Sequence, residues 1–354
     1  METNTALIRI DEREISEQTP AFIIAELSAN HGQDFEVAVK TIHAAKDAGA
    51  DAIKLQTYTA DTITIDSNKE FFKVTQGTIW DGTTLYKLYQ KAYTPWEWQP
   101  KLKQIAEELG LICFSSPFDK TAVDFLETIN VPAYKIASFE IVDLPLIEYV
   151  ASKGKPVILS TGIASKEEIT EAVETCRKIG NNQIALLKCT SAYPTPLDQV
   201  NLLTLTDIKE SFKTVVGVSD HTMSSLVSVA AIPLGARIIE KHFVLDRSID
   251  SPDSSFSLTP EEFKSLVKDV RNTEKILGNV TYELTEKSKR SREHARSLFV
   301  VEDIKAGEIF TEKNVRSIRP AFGLHTRHLK EILGKQAKVD IEKGTPLKWE
   351  LIVS

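Results

Sequence analysis

Short apolar runs recur along most of the chain, and between them lie longer segments whose apolar residues return every three or four positions. The runs are FIIAEL (22–27), AIKLQTY (52–58), LICFSS (111–116), AYKIAS (133–138), VILST (157–161), IALLKCT (184–190), VVGVSD (215–220) and RIIEKHF (237–243). Their length and β-branched content predict buried strands. The intervening segments 35–50, 94–110, 119–130, 143–154, 165–180 and 224–235 predict helices. Several carry Ser, Thr or Asp where a cap belongs and Gly just past the last turn. Strands alternating with helices imply a parallel sheet. Eight such units in about 220 residues imply a closed (β/α)8 TIM barrel rather than an open sheet.

The pattern then changes. Residues 259–278 read as one more helix, and residues 279–297 are polar with no apolar period. Residues 298–354 hold strand-like pieces, LFVVEDI, IFTEKNV, QAKVDI and PLKWELIV, punctuated by AGE and EKGT. The predicted organisation is a barrel over 1–280, a linker over 281–297 and a small β-rich domain over 298–354. A β domain of about 60 residues is marginal alone and is expected to pack on something.

Composition narrows the function classes. The 354 residues are 42% hydrophobic and 26% charged, with a net charge of −7. That is an ordinary globular balance, with no cationic footprint for nucleic acid or an anionic membrane. No apolar run has the ~18 residues of a membrane span. The opening METNTALIRIDEREI has early acids and no apolar core, so no secretory signal is expected there. Three scattered cysteines, Cys113, Cys176 and Cys189, fit a reducing cytoplasm rather than a disulfide framework.

In a barrel of this kind the chemistry gathers at the C-terminal ends of the strands. Glu26 ends the first. Lys54 and Gln56 end the second and share a face, being two apart. Ser115 and Ser116 end the third, and Lys135 and Ser138 the fourth, with Glu140 beyond. Ser160 and Thr161 end the fifth, and Lys188 and Thr190 the sixth, with Tyr193 shortly after. Ser219, Asp220 and His221 end the seventh, and Glu240 and His242 the eighth. So many polar ends exceed what packing needs, because buried charge is costly unless paired or used. His221 and His242 end adjacent strands. A divalent ion such as Mn or Zn is one reading of them, and a pair of structural histidines the other. His31 is a weaker candidate. Lys54 and Lys135 on neighbouring ends point to a bound phosphate or carboxylate. A Schiff-base lysine is the competing reading, but it needs one amine of depressed pKa rather than several cations.

The segments FIIAELSANHG, AIKLQTY, AYKIAS, ILSTG, KCTSAYPTP, VGVSDHT and IIEKHFVLDR resemble the sialic acid synthase family over almost the whole chain. The tail resembles that family's SAF (antifreeze-like) domain. Within the family, TIWDGTTLYKLYQKAYTPWEW (78–98) is similar to the pseudaminate-forming branch. The acceptor there is a 6-deoxy hexose with two acetamido groups, whose methyls favour aromatic surface over hydroxyl partners. Most of Trp80, Tyr86, Tyr89, Trp96 and Trp98 are nevertheless expected to pack a helix on the barrel.

The resemblance implies a residue-by-residue assignment. His221 and His242 match two ligands of a divalent metal, expected to be Mn2+ with Mg2+ or Co2+ as substitutes. Glu26 matches an acid that handles a proton. Lys54, Gln56, Lys135, Ser138 and Ser160 match phosphoenolpyruvate contacts, and Ser116 and Ser219 are expected to add to them. Tyr193 and Asp253 match sugar positions, and Glu140 and Glu240 supporting carboxylates. Arg319 matches a tail arginine that reaches a neighbouring subunit's site, which implies a homodimer with exchanged tails. One departure stands out. The sialic-type pattern has Asn before Tyr-Pro-Thr-Pro, where this chain has CTSAYPTP with Ser191. That weakens N-acetylmannosamine as acceptor. The implied reaction condenses phosphoenolpyruvate with 2,4-diacetamido-2,4,6-trideoxy-altrose and water, releasing phosphate. N-acetylneuraminate or legionaminate synthesis, a Schiff-base aldolase and a non-catalytic carbohydrate-binding protein are the rivals.

Overall fold

The computed structural model of the protein describes residues 6–75 and 77–353. The chain divides into two compact units, Met1–Gly278 and Asn279–Ser354.

The first unit opens with an antiparallel hairpin, β1 (Leu7–Ile10) and β2 (Arg13–Ser16). Eight parallel strands follow: β3 (Phe22–Glu26), β4 (Ala52–Thr57), β5 (Ile112–Pro117), β6 (Tyr134–Ile136), β7 (Val157–Ser160), β8 (Ile184–Cys189), β9 (Val215–Asp220) and β10 (Ile238–His242). They close into a barrel in sequence order, with β10 paired to β3. Each run predicted as a strand forms one. The predicted helices form as well. Asp34 caps Phe35–Asp47, and Ser165 and Thr259 build capping boxes with Glu168 and Glu262 ahead of Lys166–Lys178 and Pro260–Leu277.

Alternation along the strands sorts the side chains. Ile23, Ile53, Val157 and Leu186 point out and pack under the helices. Phe22, Ile24, Ala52, Phe114, Ile158 and Leu187 point in. The inner cluster also holds Ile8, Ile10 and Ile15, so the hairpin closes the N-terminal end of the barrel. These three isoleucines are at most 1% exposed, and each contributes roughly 1.5–3 kcal/mol by burial. On β9 only Gly fits at 217, because a Cβ there would lie 2.2 Å from the Ile238 carbonyl oxygen. The inner face is thus apolar toward the hairpin and polar at the opposite end.

The hairpin was not expected from the sequence, nor were the helices Leu85–Ala92 and Thr204–Phe212 as separate elements.

The second unit has its own core of Leu298, Val300, Phe310, Val315, Ile332 and Leu347. Its regular sheet is one antiparallel pair, β11 (Ser297–Val300) with β12 (Val315–Ile318). The expected strands over 309–315, 336–341 and 346–353 give only isolated bridges, among them Ile304↔Ile341 and Ala337↔Ile352, and a short 3-10 turn Trp349–Leu351. Gly307 and Gly344, at φ 83° and 87°, turn the chain before any ladder lengthens. Within the predicted linker, Glu286–Ser291 is a short helix capped by Thr285.

Candidate active site

The C-terminal ends of the barrel strands bring Glu26, Lys54, Lys135 and Glu240 together. Lys54 Nζ lies 2.5 Å from Glu26 Oε2 and 3.8 Å from Glu240 Oε1, and Lys135 Nζ lies 2.9 Å from that same Glu240 oxygen. Register explains the convergence: Glu26 pairs with Lys54 and with His242, and Glu240 with Ser219. All four charged groups are buried. Ser116 Oγ accepts from Lys54 at 3.3 Å, and Ser219 Oγ donates to Glu240 at 3.2 Å. Gln56 Nε2 donates to Glu26 at 3.0 Å and to Ser28 at 2.9 Å.

The two carboxylates compete for the same cations. Burial pushes Glu26 up, and Lys54 only partly offsets it, leaving that carboxyl at about 7. Burial also works against the charge on Glu240, but Lys135 and Lys54 together hold it below the ordinary carboxylate range. For Lys54, burial disfavours the charge and the carboxylates of Glu240 and Glu26 more than restore it, so its pKa is raised. For Lys135 burial wins and the pKa is lowered. The cluster therefore couples two carboxylates to two amines, and Glu26, at about 7, is the member that gains or loses a proton near neutrality.

Beside this cluster stand the two histidines, their ring centroids 5.3 Å apart. His221 Nδ1 donates to the Thr190 carbonyl at 3.0 Å. Cys189 Sγ lies 3.9 Å from His221, and burial raises that thiol while His221 pulls it down to about 7. Burial and the charge of His221 drive His242 well below its ordinary value, so it is neutral, as a metal ligand must be. Its Nδ1 has no hydrogen-bond partner and faces Asp253 Oδ2 at 3.8 Å. Ser28 Oγ donates to the same Asp253 oxygen at 2.5 Å. The pair of imidazoles suits a divalent ion whose other positions are filled by water or substrate. Among the described residues no group of three or more His, Cys, Asp or Glu is gathered for a metal.

The remaining predicted residues surround these two groups. Ser160 ends β7 with its buried Oγ lacking a hydrogen-bond partner. Gly162 N donates to Ser138 Oγ at 3.2 Å, and a Cβ on Gly162 would come within 2.3 Å of Ser191 Oγ and 2.7 Å of Ser138 Oγ. Glu140 lies farther along the loop after β6, where burial raises it to about 7. The Tyr193 ring sits 4.4 Å from His221. Arg319 belongs to the second unit and is exposed there, beyond the end of β12.

Residues 41–282 match the NeuB family and residues 295–353 match the SAF domain. The chain belongs to the NeuB family. It is 50% identical over 327 residues to a pseudaminic acid synthase of Campylobacter jejuni, covering 92% of this chain and 95% of that protein. It is 48% identical over 329 residues to the pseudaminic acid synthase of Helicobacter pylori, covering 93% of this chain and 96% of that protein. A solved structure of N-acetylneuraminic acid synthetase from Leptospira borgpetersenii, in complex with citrate, aligns with a TM-score of 0.72 at 32% identity, covering 82% of this chain and 96% of that one. The family resemblance carried by the motifs is borne out.

Some site positions in this NeuB-family chain differ from expectation. Lys188, expected at a functional strand end, donates instead to the Cys189 carbonyl and to Thr190 Oγ1. Ala185, Leu187 and Cys189 take the inward parity on β8, so Cys189 meets His221. Asp220 likewise points out of the barrel and pairs with Lys241 at 2.9 Å. Ser115 bonds Thr57 at 2.6 Å on the outer face. His31 is buried against Thr94 and Trp98, away from the cluster. Ser28 was missed, although its spacing of two from Glu26 was the signal.

Proposed function

We infer that the protein is a pseudaminic acid synthase. It condenses phosphoenolpyruvate with 2,4-diacetamido-2,4,6-trideoxy-altrose and water, giving pseudaminate and phosphate. The observation that carries this reading is the buried Glu26–Lys54–Glu240–Lys135 cluster beside paired histidines, in a chain half identical to synthases of that name.

The two ammonium groups, with Ser116, Ser138, Ser160 and Ser219, bind the carboxylate and phosphate of phosphoenolpyruvate and stabilise their charge throughout. C3 of phosphoenolpyruvate attacks the aldehyde carbon of the open-chain sugar, and positive charge develops at C2. Glu26 takes a proton from the water that adds there, and Gln56 holds the carboxylate in place. The tetrahedral carbon then expels phosphate by C–O cleavage. His221 and His242 would hold Mn2+, with Mg2+ or Co2+ as substitutes. When bound, that ion supplies Lewis-acid polarisation of the aldehyde oxygen. Tyr193 and Asp253 orient the sugar. Arg319 is supplied by a second copy in a homodimer with exchanged tails. Three free buried cysteines suit the cytoplasm, where disulfides are rare. A Schiff-base aldolase fits less well, because both lysines are tied to carboxylates, Lys54 to Glu26 and Lys135 to Glu240, rather than one standing as a free amine.

The test is phosphate release from phosphoenolpyruvate with Mn2+, comparing the trideoxy sugar with N-acetylmannosamine, each with and without EDTA. Release with the trideoxy sugar alone, abolished by EDTA, is the expected outcome. Release with N-acetylmannosamine alone would overturn the acceptor assignment, and release indifferent to EDTA would overturn the metal.

A further inference from the structure

The run from Trp80 to Trp98 holds six aromatic side chains, and five are held by neighbours other than the histidine pair, Tyr93 among them in the cluster around Ala29, Tyr58 and Ala92. Trp96 stacks on Phe125 at 4.9 Å and donates to the Tyr58 carbonyl. Trp98 packs edge-on against Phe35 and His31. Tyr89 packs on Tyr58, and Tyr86 donates to Asp61. Among the described contacts, Trp80 is the member of the run whose ring meets the aromatic rings beside the histidines. Its ring lies 5.5 Å from Tyr193 and 6.3 Å from Phe256. Those two rings in turn stand against the histidines, Tyr193 at 4.4 Å from His221 and Phe256 at 5.0 Å from His242. The indole N–H donates to the Pro252 carbonyl at 2.8 Å, one residue before Asp253.

We propose that Trp80 is an acceptor-specificity residue: its ring forms the outer wall of the sugar pocket, and its N–H holds the segment that carries Asp253. This rests on the functional reading above and adds a recognition surface to it. A half-buried indole on a loop is poorly repaid by packing alone. Its face offers what a deoxy carbon and two acetamido methyls need, a flat apolar surface that a polyhydroxylated sugar gains less from. The ring continues the Tyr193–Phe256 surface away from the histidines, so the wall lies on the sugar side and not among the cations that bind phosphoenolpyruvate. A pocket contact of this apolar kind typically discriminates by about 10–200-fold.

The experiment compares wild type with Trp80→Ala and Trp80→Phe, using both acceptors and the full-length protein. Trp80→Ala is expected to raise KM for the trideoxy sugar about 10-fold or more and to leave KM for phosphoenolpyruvate within about 2-fold. The preference over N-acetylmannosamine is expected to shrink. Trp80→Phe keeps an aromatic face without the N–H and is expected to fall between. Unchanged sugar KM and preference in Trp80→Ala would overturn the wall. So would an equal rise in both KM values, which marks loop collapse. Calorimetric binding of each sugar to wild type and to Trp80→Ala makes the same comparison without turnover, and equal affinities would sink the proposal. Wild type that turns over only N-acetylmannosamine would defeat the functional reading instead, leaving the wall to be judged on the sugar it binds.

Discussion

Glu26 has two neighbours of opposite effect, Lys54 at 2.5 Å and, across it, the second carboxylate Glu240. Its carboxyl titrates at about 7 because burial outweighs the pull of Lys54, a cation it shares with Glu240. That value suits a group that must take a proton from water near neutrality. Since the ionised form is the base, phosphate release should rise as pH climbs through about 7. Glu26→Gln should lower kcat by about 10²–10⁴ and remove that inflection. Glu140 also sits at about 7, so Glu140→Gln is the control that should keep it. The stability sign follows from the same shift. Folding raises the pKa, so the folded state holds this proton more tightly than the unfolded chain. The contribution is present below the ordinary carboxylate range and is lost as pH rises to about 7. Melting temperature measured against pH should therefore fall less steeply across that window in Glu26→Gln. An unchanged rate profile would remove Glu26 from the proton step.

Strands β9 and β10 show how an element places two functional groups by burying a third pair. Ser219 and Glu240 face the barrel interior, while Asp220 and Lys241 face out and meet at 2.9 Å, both at most 1% exposed. Asp220 also accepts from Thr222 N and Ser228 Oγ, each at 2.9 Å, and Lys241 donates to the Thr222 carbonyl. The residues next in sequence are His221 and His242, so this pair ties the two histidine-bearing strand ends together. Lys241→Met leaves the Asp220 carboxylate buried without its cation and should cost about 3–5 kcal/mol in urea unfolding. Combining it with Asp220→Asn should recover part of the loss, and an additive double substitution would mean that the pair is not coupled. Alternation also decided what the sequence could reveal. Short apolar, β-branched runs and capped helices marked the eight barrel strands and the helices between them, because each buries a face that its own residues define. The hairpin over 7–16 escaped because Ile8, Ile10 and Ile15 become core only against the barrel floor, which no local pattern contains. Lys188 was misassigned because chemistry was weighed before parity, and parity sends Cys189 inward instead. Trp80 was visible as one aromatic among six, but its direction depends on Tyr193 and Pro252, more than a hundred residues away in the chain.

At the scale of the whole molecule, the second unit folds around its own apolar core and presents Arg319 to solvent. An exposed guanidinium that makes no hydrogen bond among the described residues contributes little to the stability of its own unit. It is valuable where a desolvated anionic substrate needs one more cation. If a second copy donates it, each functional site combines the barrel of one chain with the tail of the other. Co-expression of a His221→Ala chain with an Arg319→Ala chain tests this. In a mixed dimer the barrel of the Arg319→Ala chain would receive an intact arginine from its partner, and the other site would lack both groups. Random pairing makes half the dimers mixed, each with one working site of two, so about a quarter of wild-type phosphate release should return. Each variant expressed alone supplies the background to subtract. Recovery no greater than that background would mean that the arginine serves its own barrel or none, and a monomer by light scattering would rule out the exchange directly.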